Sequence, residues 1–182
     1  MRKFINLIEH ITDDEQFIFA IREWGDNTLL DRSRKEQALR ALGSRLAPYR
    51  IKHKWLYRGH VTSDEDIVDL RNGLPVMLEF SGALSSWSAD PDQAANFLRF
   101  AGASGVLVAK KGLKTFFDFN SFGAHLRDIG YAVDPEDYPL SDPIREEEVI
   151  VETGPIKITM KDVMFWQGID ENGDDISGHN RL

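Results

Sequence analysis

The chain contains no cysteine. Disulfides, thiolate nucleophiles and cysteine-based zinc or iron sites are therefore excluded together. It also lacks a long apolar run. The longest, residues 17–21, falls far short of the ~20 residues that a membrane span needs. Basic residues are outnumbered, with 22 Lys and Arg against 30 Asp and Glu and a formal charge of −8. That balance argues against a general nucleic-acid binder, because attraction to phosphate depends on Lys and Arg. Arg2 and Lys3 open the chain, but Asn6 and Glu9 break up the apolar residues behind them, so the expectation is a protein without an export signal of its own. Internal repeats and low-complexity segments are missing as well.

What is there suits a single domain with at most a small extension. A chain of 182 residues buries roughly 70% of the surface its unfolded form exposes, enough for a core without covalent staples. Its 42% apolar and 29% charged content excludes a disordered or fibrous chain. Charge is uneven: residues 32–54 hold eight Lys or Arg against Glu36 alone, and residues 134–148 hold seven acids against Arg145 alone.

The first fifty residues read as helical. Thr12 and Glu15 form a capping box, followed by Phe17, Ala20, Ile21 and Trp24 at helical spacing until Gly25. A second helix starts near Asp31 or Ser33, carries Ala38, Leu39, Leu42 and Leu46 on one stripe, and stops before Pro48. From residue 54 the pattern changes to short extended runs. Strands are expected at 55–58, 76–80, 83–88, 106–109, 115–119, 149–152, 156–159 and 163–167. Helices are expected at 63–71, ended by Asn72 and Gly73, and from Asp90-Pro91-Asp92-Gln93 to Gly102. Helices followed by many short strands imply an α+β fold with an antiparallel or mixed sheet.

Several familiar sites fail on inspection. Asp170 to Asp174 imitates the start of a calcium loop, but Asp175 stands where the sixth-position glycine belongs and Arg181 where the final Glu belongs, so a turn is expected. The five His have no zinc-ligand spacing, and no metal is expected. Phosphate-loop and dinucleotide-loop glycine patterns are absent, and Gly82 to Ser86 lacks the last glycine of a nucleophile elbow.

Three signals remain. Arg58, followed at once by Gly59, ends an apolar strand; it reads either as a solvated edge arginine or as a guanidinium held at a cleft for a phosphate or carboxylate, with Gly59 allowing close approach of a ligand. Ser86 and Ser88 share one face of a strand while Trp87 takes the other. Glu146, Glu147 and Glu148 lead directly into a β-branched strand. In extended chain Glu146 and Glu148 project to one side, about 6 to 7 Å apart. Two such carboxylates suit chemistry at an anomeric carbon, where one stabilises an oxocarbenium-like centre and the other activates the nucleophile.

Arg58, Ser86-Trp87-Ser88 and Glu146-Glu147-Glu148-Val149-Ile150, in that order and at spacings of 28 and 62 residues, resemble the arginine-serine-glutamate class of mono-ADP-ribosyltransferases, among them the small Mod- and Alt-type bacteriophage enzymes that modify host proteins. The resemblance spans residues 54–165. It implies a split, mixed β-core around an NAD cleft: a helical subdomain at 1–50, a catalytic core at 51–170 and a tail at 171–182. It further implies that NAD is a substrate, that ADP-ribose passes to arginine side chains of a host protein in a bacterial cytoplasm, and that no metal or membrane takes part. A nucleic acid enters only as an acceptor or as part of a target complex. By the same resemblance Arg58 binds the pyrophosphate or adjacent ribose, and Gly59 offers its backbone to the nicotinamide amide. Ser86 fixes the Glu148 rotamer, with Ser88 beside it. Glu148 stabilises the ribosyl cation, and Glu146 orients and activates the acceptor. Phe97, with Phe100 as rival, stacks near the nicotinamide, or else is a core aromatic. The acidic segment before Glu146, with Tyr138, is the acceptor loop or a solvated loop. The basic run 32–54 supplies phosphate or partner contacts or forms a wet face. Trp87 departs from the family's usual Thr. The alternatives are an NAD glycohydrolase using the same cleft, and a catalytically silent module that captures a host protein.

Overall fold

A computed structural model describes residues 21, 24, 32–101, 103–128, 130 and 143–180, with the side chains of Phe100 and Ala101 left aside. The expected capping box at Thr12, the stripe residues Phe17 and Ala20, the stops at Gly25 and Gly102, and Tyr138 lie outside the described residues.

Four helices and nine strands are described: α1 (Arg32–Ala41), β1 (Leu56–Val61), α2 (Asp64–Arg71), β2 (Val76–Leu78), β3 (Leu84–Ser88), α3 (Pro91–Ala101), β4 (Gly105–Lys110), β5 (Lys114–Asp118), α4 (Phe119–Asp128), β6 (Glu148–Glu152), β7 (Ile156–Ile158), β8 (Val163–Gln167) and β9 (Gly178–His179). The fold is α+β. Seven strands form one sheet in the order β5-β6-β3-β1-β4-β8-β9, and β2 pairs with β7 in a second. Every described ladder is antiparallel, one of the two sheet types that the residue pattern allowed, whereas the resemblance implied a mixed sheet.

Local chemistry accounts for most boundaries. Ser63 caps α2 in a reciprocal box with Asp66, and Gly73 takes a φ of +83° just beyond its end. Asp90 accepts from the Asp92 amide at 2.8 Å, and Pro91 opens α3. The second expected helix is shorter than its apolar stripe suggests. It stops at Ala41, Gly43 turns the chain with a φ of +53°, and a 3₁₀ helix, Gly43–Tyr49, carries Leu46 into the core with Pro48 inside it. The strand expected to run to residue 119 ends one residue earlier. Asp118 accepts from the amides of Asn120 and Ser121 at 2.9 and 3.1 Å, so its carboxylate caps α4 instead of continuing the ladder. The imitation calcium loop is a turn closed by Asp170 around Gly173, whose φ is +84°.

The sheet has cores on both faces. On one side Leu39, Leu42 and Leu46 pack with Leu84, Ile150 and the aromatics Phe116, Phe117, Phe119 and Phe122, joined by Ile21 and Trp24. On the other, Trp87, Val149 and Val151 meet Leu56, Val106, Val108, Ile67 and Val163. A third cluster seats α3 on β1 and β4 through Ala94, Leu98 and Leu107. Burial of this many side chains is the main favourable term in folding. Among the described residues no helix is long and apolar enough to cross a membrane.

One ladder decides where a site can form. β3 and β6 pair at five positions and β1 and β4 at six, but β1 meets β3 only at Tyr57 and Ser88. The sheet therefore parts between β1 and β3, leaving polar backbone that something else must satisfy.

Candidate active site

A cleft of about 510 Å³ lies at that parting, and Arg58, Gly59, Ser86, Ser88, Phe97, Glu146 and Glu148 all line it. Three stretches of chain, separated by 28 and 62 residues, thus meet at one place.

Arg58 fills the parting. Its Nη1 donates to the Ser86 carbonyl and its guanidinium stands 5.1 Å from the Phe80 ring centroid. Its Nε is buried with no hydrogen-bond partner among the described residues. Burial first, and then repulsion from Arg32, lowers the Arg58 pKa to about 10, against the attraction of Glu148. At neutral pH it remains a cation held in a partly dry site.

The serines divide their duties. Trp87 is buried, and its Nε1 donates to Ser85 Oγ at 2.9 Å, which in turn bonds Thr153 at 2.7 Å, so this side of β3 is sealed. On the cleft side the Ser86 hydroxyl bonds the Glu148 carboxylate. Ser88 is occupied by backbone: its Oγ donates to the Glu146 carbonyl at 2.9 Å and accepts from the Asp90 amide at 3.0 Å. Ser88 therefore ties the Glu146 turn to the start of α3.

Glu148 opens β6. Trp24 Nε1 donates to its Oε1 at 2.7 Å. Desolvation raises its pKa, and the bonds from Ser86 and Trp24 together with Arg32 and Arg58 oppose that rise without cancelling it. The expected extended geometry for the acidic pair does not hold. Residues 143–145 form one helical turn, Glu146 and Glu147 lie in the turn after it, and Glu147 takes a φ of +50°, rare for a residue with a side chain. Glu146 and Glu148 still line one cleft, brought there by a reversal of the backbone rather than by strand alternation. Glu146 is exposed and Glu148 half-buried, so the two carboxylates sit in different solvent.

Phe97 is 67% exposed at the cleft edge, while Ala94 and Leu98 provide the packing face of α3. The core-aromatic reading fails for it; the Phe100 side chain lies outside the described residues. Gly59 has a reason that the sequence did not suggest. A Cβ there would stand 2.4 Å from the Ala94 carbonyl, so glycine is needed for α3 to lie against β1.

Sequence reasoning missed Trp24, Arg32 and Glu36. Trp24 had the spacing of a core residue and Arg32 belonged to a basic run, yet both line the cleft. Glu36 is buried and accepts from the amides of Ala83 and Leu84 at 3.2 and 3.0 Å, fixing the entry to β3. Among the described residues no group of three His, Asp or Glu is placed to hold a metal ion.

Neither the protein-family models nor the curated proteins contain a match to this chain.

Proposed function

We propose that the chain is an NAD-dependent mono-ADP-ribosyltransferase that passes ADP-ribose to arginine side chains of a protein and releases nicotinamide. The observation that carries this reading is the convergence of Arg58, Ser86 and Glu148 on one cleft, with Glu146 at its exposed side.

Each group suits a step. The Arg58 guanidinium, lining the cleft, donates to a phosphate oxygen of NAD. Phe97 offers an exposed ring near Gly59 for the nicotinamide. The glycosidic C1′–N bond breaks with its electron pair going to the pyridinium nitrogen, so nicotinamide leaves neutral and positive charge moves to the ribose. Glu148, fixed by Trp24 and Ser86 before the reaction, faces that developing charge with no reorganisation cost. The acceptor guanidine nitrogen then bonds C1′, and its proton passes to Glu146, which stands where the proton can leave to water. The expected setting is a bacterial cytoplasm with a host protein as acceptor.

The exposure of Glu146 favours one second reading, hydrolysis of NAD, since water reaches that carboxylate when no acceptor covers it. Incubating bacterial extract with labelled NAD and the protein, followed by mass spectrometry, tests both. Labelled arginines that disappear with Glu148→Gln are expected. Free ADP-ribose without any labelled protein would replace transfer by hydrolysis, and no consumption of NAD would overturn both.

A further inference from the structure

Gly123 stands in the middle of α4, where glycine lowers helix stability relative to alanine, so its presence there has another cause. That cause is Ile144. A Cβ at Gly123 would stand 2.6 Å from Ile144 Cγ2, with Cγ1 and Cδ1 at 3.4 and 3.5 Å, so the bare helix backbone forms a seat for this side chain. Seated on α4, Ile144 packs against the aromatic core. Pro143 and Glu146, on either side of it in sequence, line the cleft instead.

The turn that follows is clamped from the opposite side. The Glu147 amide donates to the Ile144 carbonyl at 3.3 Å, the Ser88 hydroxyl to the Glu146 carbonyl at 2.9 Å, and the Ala89 amide to the Glu147 carbonyl at 3.1 Å. Between seat and clamp Glu147 holds its φ of +50°, a conformation that persists only where the surroundings over-determine it. The hydrogen bonds to β3 and its end hold the far side of the turn, and the Ile144 seat holds its entry. Ile144 is β-branched and stiff at χ1, so a push on Cγ2 passes to the backbone instead of being absorbed by rotation.

We propose that the contact between Gly123 and Ile144 positions Glu146, and so sets the share of ADP-ribose that reaches an arginine instead of water. That Glu146 serves the acceptor rests on the reading above; the seat and the clamp do not. Gly123 and Ile144 are positioning residues, since neither lines the cleft. A methyl group on Gly123 drives Ile144 back by about 1 Å to reach ordinary contact. A displacement of that size costs up to about a hundredfold in a step that needs an aligned base. Transfer to arginine is such a step, with the guanidine nitrogen bonding C1′ as its proton passes to Glu146. In hydrolysis a water oxygen bonds C1′ and the proton leaves to bulk water, where alignment matters less. Arg58, Ser86 and Glu148 belong to β1, β3 and β6 and keep their places, so cleavage of NAD continues.

Two measurements on the full chain test this. Hydrogen exchange follows the turn itself: in Gly123→Ala the Glu147 and Ala89 amides should exchange roughly tenfold faster or more, while the amides of residues 149–151 in β6 keep their wild-type rates. With NAD and bacterial extract, the ratio of labelled protein to released nicotinamide should fall roughly tenfold or more, with nicotinamide release unchanged. Ile144→Ala empties the seat and should lower the same ratio, and it carries both measurements if Gly123→Ala does not fold. Combining the two substitutions puts a methyl group into the space that Cγ2 leaves and should recover part of the ratio, a non-additivity expected only of residues in contact. Wild-type exchange at Glu147 and Ala89 in Gly123→Ala overturns the proposal, as does an unchanged ratio, or equal loss of labelling and nicotinamide release. A wild type that hydrolyses NAD without labelling any protein overturns it too. A wild type that releases no nicotinamide would end the reading above, and the exchange rates would still decide whether the seat fixes the Glu146 turn.

Discussion

Trp24 Nε1 donates to Glu148 Oε1 at 2.7 Å, joining residues 124 positions apart. Trp24 is therefore part of the cleft wall, far in sequence from the strand that carries Glu148. Burial raises the Glu148 pKa and this bond works against the rise. Trp24→Phe keeps an aromatic ring under Arg32 and removes the donor, so the carboxylate should titrate at a still higher pH. Stabilising the ribosyl cation needs the ionised form. Nicotinamide release by Trp24→Phe should fall roughly tenfold at neutral pH, the worth of about 1.4 kcal/mol and in the range of one charged hydrogen bond. The acid limb of its pH profile should move upward. A uniform loss at every pH would assign Trp24 to packing alone.

Glu148→Gln should abolish transfer and hydrolysis while stabilising the fold. With its folded pKa above the ordinary value of 4.5, the native state holds the Glu148 proton more tightly than the unfolded state does. The carboxylate then contributes most favourably below the unfolded pKa, and its contribution is lost as pH rises through the folded value. Gln keeps the acceptor for Trp24 and removes the charge. The Tm of Glu148→Gln minus that of the wild type should be positive at pH 7 and shrink toward pH 4. A lower Tm than wild type at pH 7 would mean that Arg32 and Arg58 more than repay the desolvation.

What was legible in the sequence was short-range. The Ser63–Asp66 box and the Asp90-Pro91 start are readable because cap and helix lie within four residues. Alternation also placed Ser86 and Ser88 on the opposite face from Trp87 without reference to any partner strand. The α4 helix was hidden because Thr115 to Phe119 continues a strand-like apolar run straight into it. The available signal was Asp118, a capping residue three positions before Ser121. Gly123 obscured it further by sitting inside the helix, where a Cβ would come within 2.6 Å of Ile144. The roles of Trp24, Arg32 and Glu36 depend on partners 124, 52 and 48 positions away, and no local period encodes those distances. Glu147 is a further case. Its left-handed backbone is imposed by the turn, with its amide bonded to the Ile144 carbonyl and its carbonyl accepting from the Ala89 amide, rather than by any preference of glutamate.

Glu146 differs from Glu148 in solvent and in support. It is exposed, and its backbone rather than its carboxylate is what Ser88 holds. Glu146→Gln should therefore leave NAD binding and the Glu148 environment intact. The expected outcome is a drop in arginine labelling of roughly a hundredfold, the scale of a general base, with a much smaller effect on nicotinamide release into water. Labelling of protein and release of nicotinamide, measured on the same samples, give the ratio directly. Equal loss of both would deny the two carboxylates separate roles.

Gly59 separates a packing requirement from a ligand requirement. A methyl group there would meet the Ala94 carbonyl at 2.4 Å, with Leu98 Cγ at 3.1 Å and Phe97 Cβ at 3.3 Å, and backbone cannot yield as a flexible side chain can. Gly59→Ala should push α3 away from β1 and destabilise the protein by about 1 to 3 kcal/mol, the usual range for overpacking. Because α3 also carries Phe97 at the cleft edge, NAD affinity should fall with stability. Ala94→Gly leaves the Ala94 carbonyl in place and should not rescue the variant. An unchanged Tm with weakened NAD binding would instead assign Gly59 to the ligand, returning it to the role that its position beside Arg58 first suggested.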